Sequence, residues 1–355
     1  METLTIEERC TLAYKFWTGI CSTVVFACLR EHGQDRIVEL ERRSINHHQA
    51  KHFLEGMRKL GLDNEPNDVI RCAKYHYFSN SLGGLPMDYV EESPERVWIR
   101  YLAPYWMGDS PVQPSSGPAV LGAEFGRAPY LGWHANNGAY LGNDRLVFVQ
   151  TQSLLDGDPW DAGYFTLHDR PLEPGHGYLR RIGEWGPRFE PARAPALPQA
   201  DWPPERRLRA LRNFAIDFTA SRCSTLAEIL GPENAARVIE HAFTVFLAQG
   251  WEALPRSVGI QKIESAIDAA RYFAAVAEIT GDAVDIDLTG DVPVIHQRTM
   301  RFWKGVPAPV PEIDQAMARA WSKTLNLHAQ GLSCRLVQGE SFGYRWIFEK
   351  GDTYE

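Results

Sequence analysis

The chain has 355 residues, of which 44% are hydrophobic and 23% charged, and its formal net charge at pH 7 is −8. These values are typical of soluble globular proteins and exclude a disordered, fibrous or low-complexity chain. The acidic balance argues against nucleic acid as the main partner. The longest uncharged apolar stretch, Ile20 to Leu29, is too short to span a bilayer, which takes about 20 residues. The acidic N-terminus does not read as a secretion signal, so we expect a cytoplasmic protein that does not bind membranes.

In each half of the chain, the predicted elements begin with helices and continue with antiparallel strands. In the N-terminal part, a helix over residues 9–30 and a later helix carrying His76 precede a hairpin over 146–152 and 163–167. A run of six prolines over 187–204 predicts an extended linker, because proline lacks a backbone donor and has a fixed φ. The C-terminal part predicts helices near 206–230, 232–249, 259–280 and 312–328, strands at 284–288 and 292–297, and a hairpin at 331–349. Helices followed by antiparallel strands predict an α+β fold.

Two parts of the chain share this order of elements and several short motifs. Cys21-Ser22-Thr23 recurs as Cys223-Ser224-Thr225, and the sequence RIVE at 36–39 is similar to RVIE at 237–240. Such matches in the same order predict a tandem duplication. We therefore predict an N-terminal repeat over 1–185, a linker over 186–204 and a degenerate C-terminal repeat over 205–355.

The two repeats differ most at residues 117–144, where the N-terminal repeat is rich in glycine and the C-terminal repeat has a plain amphipathic helix. This segment contains Trp133, His134, Asn136 and Asn137. A flexible backbone lets donors approach a ligand, and a rigid aromatic ring supplies a flat wall. We expect His134 to act as a general acid or base and the asparagines to bind substrate. The alternative is a surface loop with an Asn-Asn-Gly turn after a packed tryptophan.

Further candidates lie on either side of this segment. Asp156, Asp158 and Asp161 crowd one predicted hairpin turn, where they form either a general base or cation site, or a simple solvated turn. His76 and Asn80 share a helix that lines a pocket or fills the core, and His48 and His52 fit a solvated helical face. The predicted catalytic set is His134, Asp158 and Asp161, and the predicted substrate-binding set is His76, Asn80, Tyr105, Trp106, Trp133, Asn136 and Asn137.

Two segments carry a resemblance to a known family, namely SPERVWIRYLAPYW at 93–106 and LVFVQTQSLLDGDPWDAGYF at 146–165. They resemble the aminothiazoline-carboxylate hydrolases and, in plan, the related ligand-binding fold of 4-vinyl-reductase-type domains and Golgi-tethering proteins. The resemblance implies a pocket between helices and sheet that holds a small organic molecule. Members of this group often carry a cysteine two residues after the Gly-Asp-Pro segment, whereas this chain has Asp161.

The leading hypothesis is therefore a hydrolase that adds water to a C=N or amide-like bond of a small polar compound. We expect no cofactor and no metal. The sequence has no nucleotide-binding glycine motif, and His48 and His52, whose spacing can hold a metal, lack the glutamate of an H-E-x-x-H motif and a third ligand nearby. Two alternatives stay open, a non-catalytic carrier or sensor with an aromatic-lined pocket and a structural scaffold. A homodimer also stays open.

Overall fold

The computed structural model describes residues 4–102, 121–290, 292–329, 331–338 and 343–350. Contacts divide the chain into two compact units. Within the described residues, unit A comprises 32–102 and 121–210, and unit B comprises 4–31 and the described residues from 211 onward. The first helix, α1 (Ile6–His32), thus belongs almost entirely to unit B, whereas the sequence predicts it within the repeat at 1–185.

Unit A combines helices with a five-stranded sheet. Its helices are α2 (Gln34–Lys59), α3 (Asp68–Leu82), α4 (Ala123–Gly132) and α5 (Asn137–Leu141), with a 3-10 turn at His134–Asn136. Its strands are β1 (Met87–Ser93), β2 (Arg96–Tyr101), β3 (Leu146–Gln152), β4 (Asp161–Leu167) and β5 (Tyr178–Arg180). The strand order is β1-β2-β4-β3-β5, and every neighbouring pair is antiparallel except β3 and β5.

Both faces of this sheet are covered, which explains why all seven residues of β3 are buried. Helix α3 packs against β1, β2 and β4 on one face. On the other face, Trp98 and Tyr164 have ring centroids 4.7 Å apart, and Leu172 and Leu179 pack against their cluster. Gly186 approaches Trp98 so closely that a Cβ atom there would lie 2.7 Å from the indole. Residues after β4 therefore form a strap over the second face.

Unit B has a similar composition of elements. After α1, its helices are α6 (Pro204–Leu230, from Leu211 onward), α7 (Pro232–Gln249), α8 (Leu254–Ser257), α9 (Ala266–Thr280) and α10 (Pro311–His328). Its strands are β6 (Val284–Asp287), β7 (Val294–Gln297), β8 (Leu332–Gln338) and β9 (Tyr344–Lys350). They form an antiparallel sheet in the order β6-β7-β9-β8. Trp17 of α1 stacks on Phe302, with ring centroids 5.1 Å apart.

The predicted α+β class is confirmed, and most predicted elements are present. The helix predicted over 259–280 begins instead at Ala266. Ser265 and Asp268 form a capping box, in which each side chain accepts a hydrogen bond from the other residue's backbone N–H. This reciprocal cap fixes the start of the helix. In the segment between β5 and α6, which is described in full, the only regular element is a 3-10 turn at Pro191–Arg193.

The sheets of the two units share a strand order. Four strands of unit A have the order β1-β2-β4-β3, and those of unit B have the order β6-β7-β9-β8. In both sheets, the fourth strand along the chain lies between the second and the third. This is the order expected from one plan used twice. The duplication itself stays a prediction, because a common strand order does not by itself show a common origin.

One described helix, α1, is long and apolar enough to cross a membrane by length and composition. Of its most apolar window, 78% of the residues are buried in the protein. Aromatic contacts such as that of Trp17 with Phe243, at 6.3 Å between centroids, account for part of this burial. This extent of burial is typical of a helix in the core of a folded protein.

Candidate active site

Helix α3 carries His76 on its buried face. The helix starts after Asn67, whose side-chain oxygen accepts hydrogen bonds from the backbone N–H groups of Val69 and Ile70. His76 is only 3% exposed. Its ring lies nearly parallel to that of Phe165 on β4, with centroids 5.4 Å apart. The helix cap and the sheet thus fix His76 between helix and sheet.

His134 follows a close contact between two helices. Helix α4 ends at Gly132, where a Cβ atom would lie 2.4 Å from the carbonyl oxygen of Arg42 on α2. Only glycine permits this approach. In the 3-10 turn that follows, the ring of His134 stacks on Phe148 of β3 at 4.1 Å, and its Nε2 lies 2.9 Å from the hydroxyl of Tyr101. His134 is 4% exposed, so it does not lie in the surface loop of the alternative interpretation.

The two histidines meet face to face, with ring centroids 4.2 Å apart and 25° between their planes. Burial lowers the pKa of His76 from 6.5 to about 3. Burial, and then the neighbouring His76, lower the pKa of His134 well below its ordinary value. Both imidazoles are therefore neutral at pH 7 and each retains a lone pair.

A chain of amides determines which nitrogen of His76 carries the proton. Gln49 Nε2 donates to the carbonyl oxygen of Trp133 at 2.9 Å, and also to Asn137 Oδ1 at 2.8 Å. Since Asn137 Oδ1 faces Gln49, its Nδ2 is the atom that lies 3.1 Å from His76 Nε2. That nitrogen therefore accepts a hydrogen bond, and the proton of neutral His76 is on Nδ1.

Several buried polar atoms near the histidines have no hydrogen-bond partner among the described residues. They include His134 Nδ1, Gln49 Oε1 and Trp133 Nε1. Two more, Gln152 Nε2 and Ser153 Oγ, lie at the end of β3. Most buried polar atoms in proteins are hydrogen-bonded, and a water, an ion, strain or a catalytic role commonly accounts for the exceptions. The atoms without partners comprise both donors and acceptors, as a polar organic ligand requires.

The three predicted carboxylates lie in the hairpin between β3 and β4. Asp158 Oδ2 accepts the backbone N–H of Ser153 at 2.7 Å, and Asp161 Oδ1 accepts that of Leu154 at 3.2 Å. Asp156 forms ion pairs with Arg127 at 3.4 Å and Arg180 at 2.5 Å. These bonds are those of a stabilised turn. Asp158 and Asp161 are therefore held by the backbone of the hairpin.

The other predicted site residues have different surroundings. Asn80 Nδ2 donates to the carbonyl oxygen of His76, and Asn136 Nδ2 donates to that of Gly132. Both asparagines thus stabilise the backbone that carries the histidines. Tyr105 and Trp106 lie outside the described residues. The structure therefore brings His76, Trp133, His134 and Asn137 together.

The prediction of a solvated histidine face on α2 is wrong for His48. Its side chain is 6% exposed, and its ring lies 4.3 Å from that of His52 and 5.8 Å from that of Trp133. The reason is that α4 and the turn after it pack over α2, which a helical spacing alone does not show. Among the residues that the structure describes, no group of three or more His, Cys, Asp or Glu side chains is arranged to hold a metal ion.

Sequence reasoning missed Gln49, Tyr101 and the polar end of β3. Gln150, Thr151, Gln152 and Ser153 are all at most 1% exposed. Four consecutive polar residues at the end of the apolar run LVFV were the available signal, because a buried strand otherwise stays apolar. Tyr101 carried no comparable signal, since strand tyrosines are common.

No protein-family model matches the sequence, and neither the curated proteins nor the solved structures gave a match. The functional assignment of the chain therefore depends on the geometry around His76 and His134 and on the motif resemblance described above.

Proposed function

We propose that unit A contains the active site of a hydrolase that adds water to a C=N or amide-like bond of a small polar compound. The observation that carries this proposal is the pair of buried, neutral imidazoles, in which His134 Nδ1 has no partner among the described residues. The motif resemblance favours a cyclic amidine as the substrate. Trp133 Nε1 and Gln49 Oε1 supply one donor and one acceptor for its polar groups.

His134 is the proposed general base. In the tautomer that donates Nε2–H to the Tyr101 oxygen, Nδ1 carries the lone pair and accepts a proton from water. The water oxygen bonds to the C=N carbon, and the electron pair of the double bond moves to nitrogen. As the bond from carbon to the leaving ring atom breaks, the imidazolium returns its proton to that atom, and the pair on nitrogen re-forms the double bond. The resulting HO–C=N group tautomerises to the carbonyl product. Water is thus consumed, and His134 ends in its starting form.

The surrounding side chains have defined parts in this proposal. The stack on Phe148 and the bond to Tyr101 hold the plane of the His134 ring. His76 acts as a neutral neighbour whose orientation is fixed by Asn137. Asp158 and Asp161 receive no proton-transfer step, because the turn backbone already occupies an oxygen of each.

The test is hydrolysis of 2-aminothiazoline-4-carboxylate by the full-length protein, together with a panel of small cyclic amidines and amides. Ring opening is followed by loss of substrate on chromatography and by the appearance of a free thiol or amine. General acid–base catalysis contributes about 10²–10⁴-fold, so His134→Ala should lower turnover by that factor. His176→Ala, which removes an exposed histidine of the same unit, is the control and should leave turnover unchanged.

Two results would contradict the proposal. One is a lack of turnover of every compound on the panel, which would favour the carrier or scaffold alternatives. The other is a folded His134→Ala protein, checked by circular dichroism, with the turnover of the parent. A pH profile gives a second readout, because turnover by a neutral imidazole falls as His134 becomes protonated.

The proposal includes a small-molecule substrate as the partner and the cytoplasm as the compartment. All six cysteines are free and buried, as is usual in a reducing environment. Mass spectrometry of the cysteines after rapid alkylation in cells would check this, since disulfides would contradict it.

A further inference from the structure

The first strand of unit B, β6, lies at an open edge of its sheet, where among the described residues it pairs with β7 alone. The opposite edge strand, β8, packs against α10, and Cys334 donates its outward N–H to Ser322 Oγ of that helix at 3.3 Å. In unit A, the corresponding strand β1 has a bulge between Glu91 and Ser93 and three buried residues at its start. Such features keep edge strands from binding other chains. By contrast, β6 has a regular register, and all its residues after the first are exposed.

The hydrogen bonds between β6 and β7 show which backbone groups of β6 point out of the sheet. The carbonyl oxygen of Ala283 accepts the N–H of Arg298 at 2.8 Å, and the register after this pair has no shift. In an antiparallel pair, the N–H and C=O of one residue point to the same side, and successive residues alternate. Every second residue from Ala283 therefore bonds to β7, whereas the N–H and C=O groups of Val284 and Ile286 point outward.

On one face of the sheet, β6 carries the exposed end of an apolar row. The row crosses the sheet through cross-strand neighbours, which are Leu336, Trp346, Ile295 and Ile286. The first three are at most 8% exposed, whereas Ile286 is 40% exposed and Leu288 after it is 37% exposed. A further strand beside β6 would continue this row and bury Ile286, and burial of apolar surface is favourable.

On the other face, β6 carries two exposed carboxylates. Asp285 forms an ion pair with Arg298 at 2.5 Å, in which both side chains are largely exposed. Asp287 Oδ1 accepts hydrogen bonds from the backbone N–H and the hydroxyl of Thr289, at 3.0 and 2.7 Å. These bonds, and then the nearby His296, lower the pKa of Asp287, so it is ionised at pH 7. A basic side chain beside β6 would therefore meet a negative charge at Asp287.

We propose that β6 binds an extended segment of another protein in which apolar and basic residues alternate. The segment is added to the sheet as a strand, and it bonds to the outward backbone groups of Val284 and Ile286. Its apolar side chains cover Ile286, and its basic side chains lie beside Asp287. The sequence 284–291 has three aspartates and no basic residue, so a second copy of β6 would place like charges opposite one another. The surface belongs to unit B and is independent of the hydrolase proposed for unit A.

The test compares short, capped and fluorescently labelled peptides on the full-length wild-type protein. One peptide alternates lysine with valine, a second alternates glutamate with valine, and a third has the lysines and valines of the first in two separate blocks. Binding is followed by fluorescence anisotropy at physiological ionic strength. We expect saturable binding of the alternating lysine peptide, at least about tenfold tighter than that of either other peptide. Lack of saturable binding, or equal binding of the glutamate or the block peptide, would overturn the proposal.

Three variants, checked for folding by circular dichroism, locate the binding. Ile286→Pro removes an outward N–H but no bond to β7, so it should abolish binding of the lysine peptide. Asp287→Lys should reduce the preference for the lysine over the glutamate peptide by about tenfold. Leu327→Ala, which removes an exposed apolar side chain of α10, is the control and should retain binding.

Unchanged binding in Ile286→Pro, or an unchanged preference in Asp287→Lys, would contradict the assignment to β6. Light scattering supplies a further outcome. A wild-type dimer that Ile286→Pro dissociates would mean that a second copy of the chain occupies this edge, and it would also overturn the proposal.

Discussion

The ring of His76 on α3 lies against the ring of His134 in the turn after α4, nearly parallel and with 4.2 Å between centroids. Two neutral imidazoles can stack in this way, but protonation of either one would place a charge in a buried environment. The stack therefore connects the packing of unit A with its protonation. It also places two lone-pair bearing rings at one point of the sheet, which is the basis of the proposed chemistry.

The stability of the protein should fall as the pH is lowered from 7 to 5. The unfolded chain binds a proton at His76 near its ordinary pKa of 6.5, whereas burial lowers the folded pKa to about 3. Between these two pKa values the unfolded state binds more protons than the folded state, so the free energy of unfolding increases with pH. The stabilising contribution of neutral His76 is complete above pH 6.5. At about 1.4 kcal/mol per unit, His76 alone should contribute a loss of about 2 kcal/mol at pH 5 relative to pH 7.

Urea unfolding of wild type and His76→Gln at both pH values measures this contribution. The variant lacks the titrating ring but keeps a side-chain oxygen for Asn137, so its loss of stability should be smaller by about 2 kcal/mol. Comparison of the two proteins cancels the carboxyl groups of unit B, such as Asp282 and Asp314, whose raised pKa values act in the opposite direction. His176→Gln is the control for removal of an exposed histidine. The prediction fails if the free energy of unfolding of wild type and of His76→Gln falls by the same amount between pH 7 and pH 5.

Asn137→Asp should raise the pKa of His76. The substitution places a carboxylate oxygen where Asn137 Nδ2 now lies, 3.1 Å from His76 Nε2, while Gln49 retains its acceptor. An opposite charge at this distance raises a histidine pKa by about 1–3 units. The measurement is an NMR titration of the His76 ring protons.

The neighbouring substitution Asn136→Asp is the matched control for that titration. The Asn136 side chain donates to the Gly132 carbonyl oxygen rather than to a histidine ring. The pKa of His76 should therefore change much less in Asn136→Asp than in Asn137→Asp. An equal change in the pKa of His76 in the two variants would mean that Asn137 does not contact His76 in the way described.

Gly132→Ala should destabilise unit A by about 1–3 kcal/mol. Alanine has the higher helix propensity, which favours the variant by about 1 kcal/mol. The contact outweighs this gain, because the new Cβ would lie 2.4 Å from the backbone oxygen of Arg42, which cannot move without shifting α2. Urea unfolding gives the change. Gly290→Ala, where the added methyl would meet no atom within 4 Å, is the control. An unchanged stability of Gly132→Ala would show that the two helices separate easily.

Sequence patterns predicted the elements better than their ends or their partners. The apolar positions of α9 predicted a helix, but its start at Ala266 depends on the reciprocal bonds of Ser265 and Asp268. The apolar periodicity extends to residues before this cap, so the pattern alone predicted too early a start. The polar hairpin residues Asp158 and Asp161 attracted a catalytic prediction because of their chemistry. Their bonds to the backbone of the turn depend on the exact path of the hairpin.

The sequence by itself determined the α+β class and most helices and hairpins in their order, and it singled out the segment around Trp133 and His134 as a candidate site. These follow from hydrophobic periodicity and turn chemistry, which act over a few residues. Only the tertiary structure decided that His76 and His134 stack, that Gln49 orients Asn137, and that α1 packs within unit B. Such contacts join residues far apart in the chain, so they depend on how whole helices pack on a sheet, and local patterns do not record that packing.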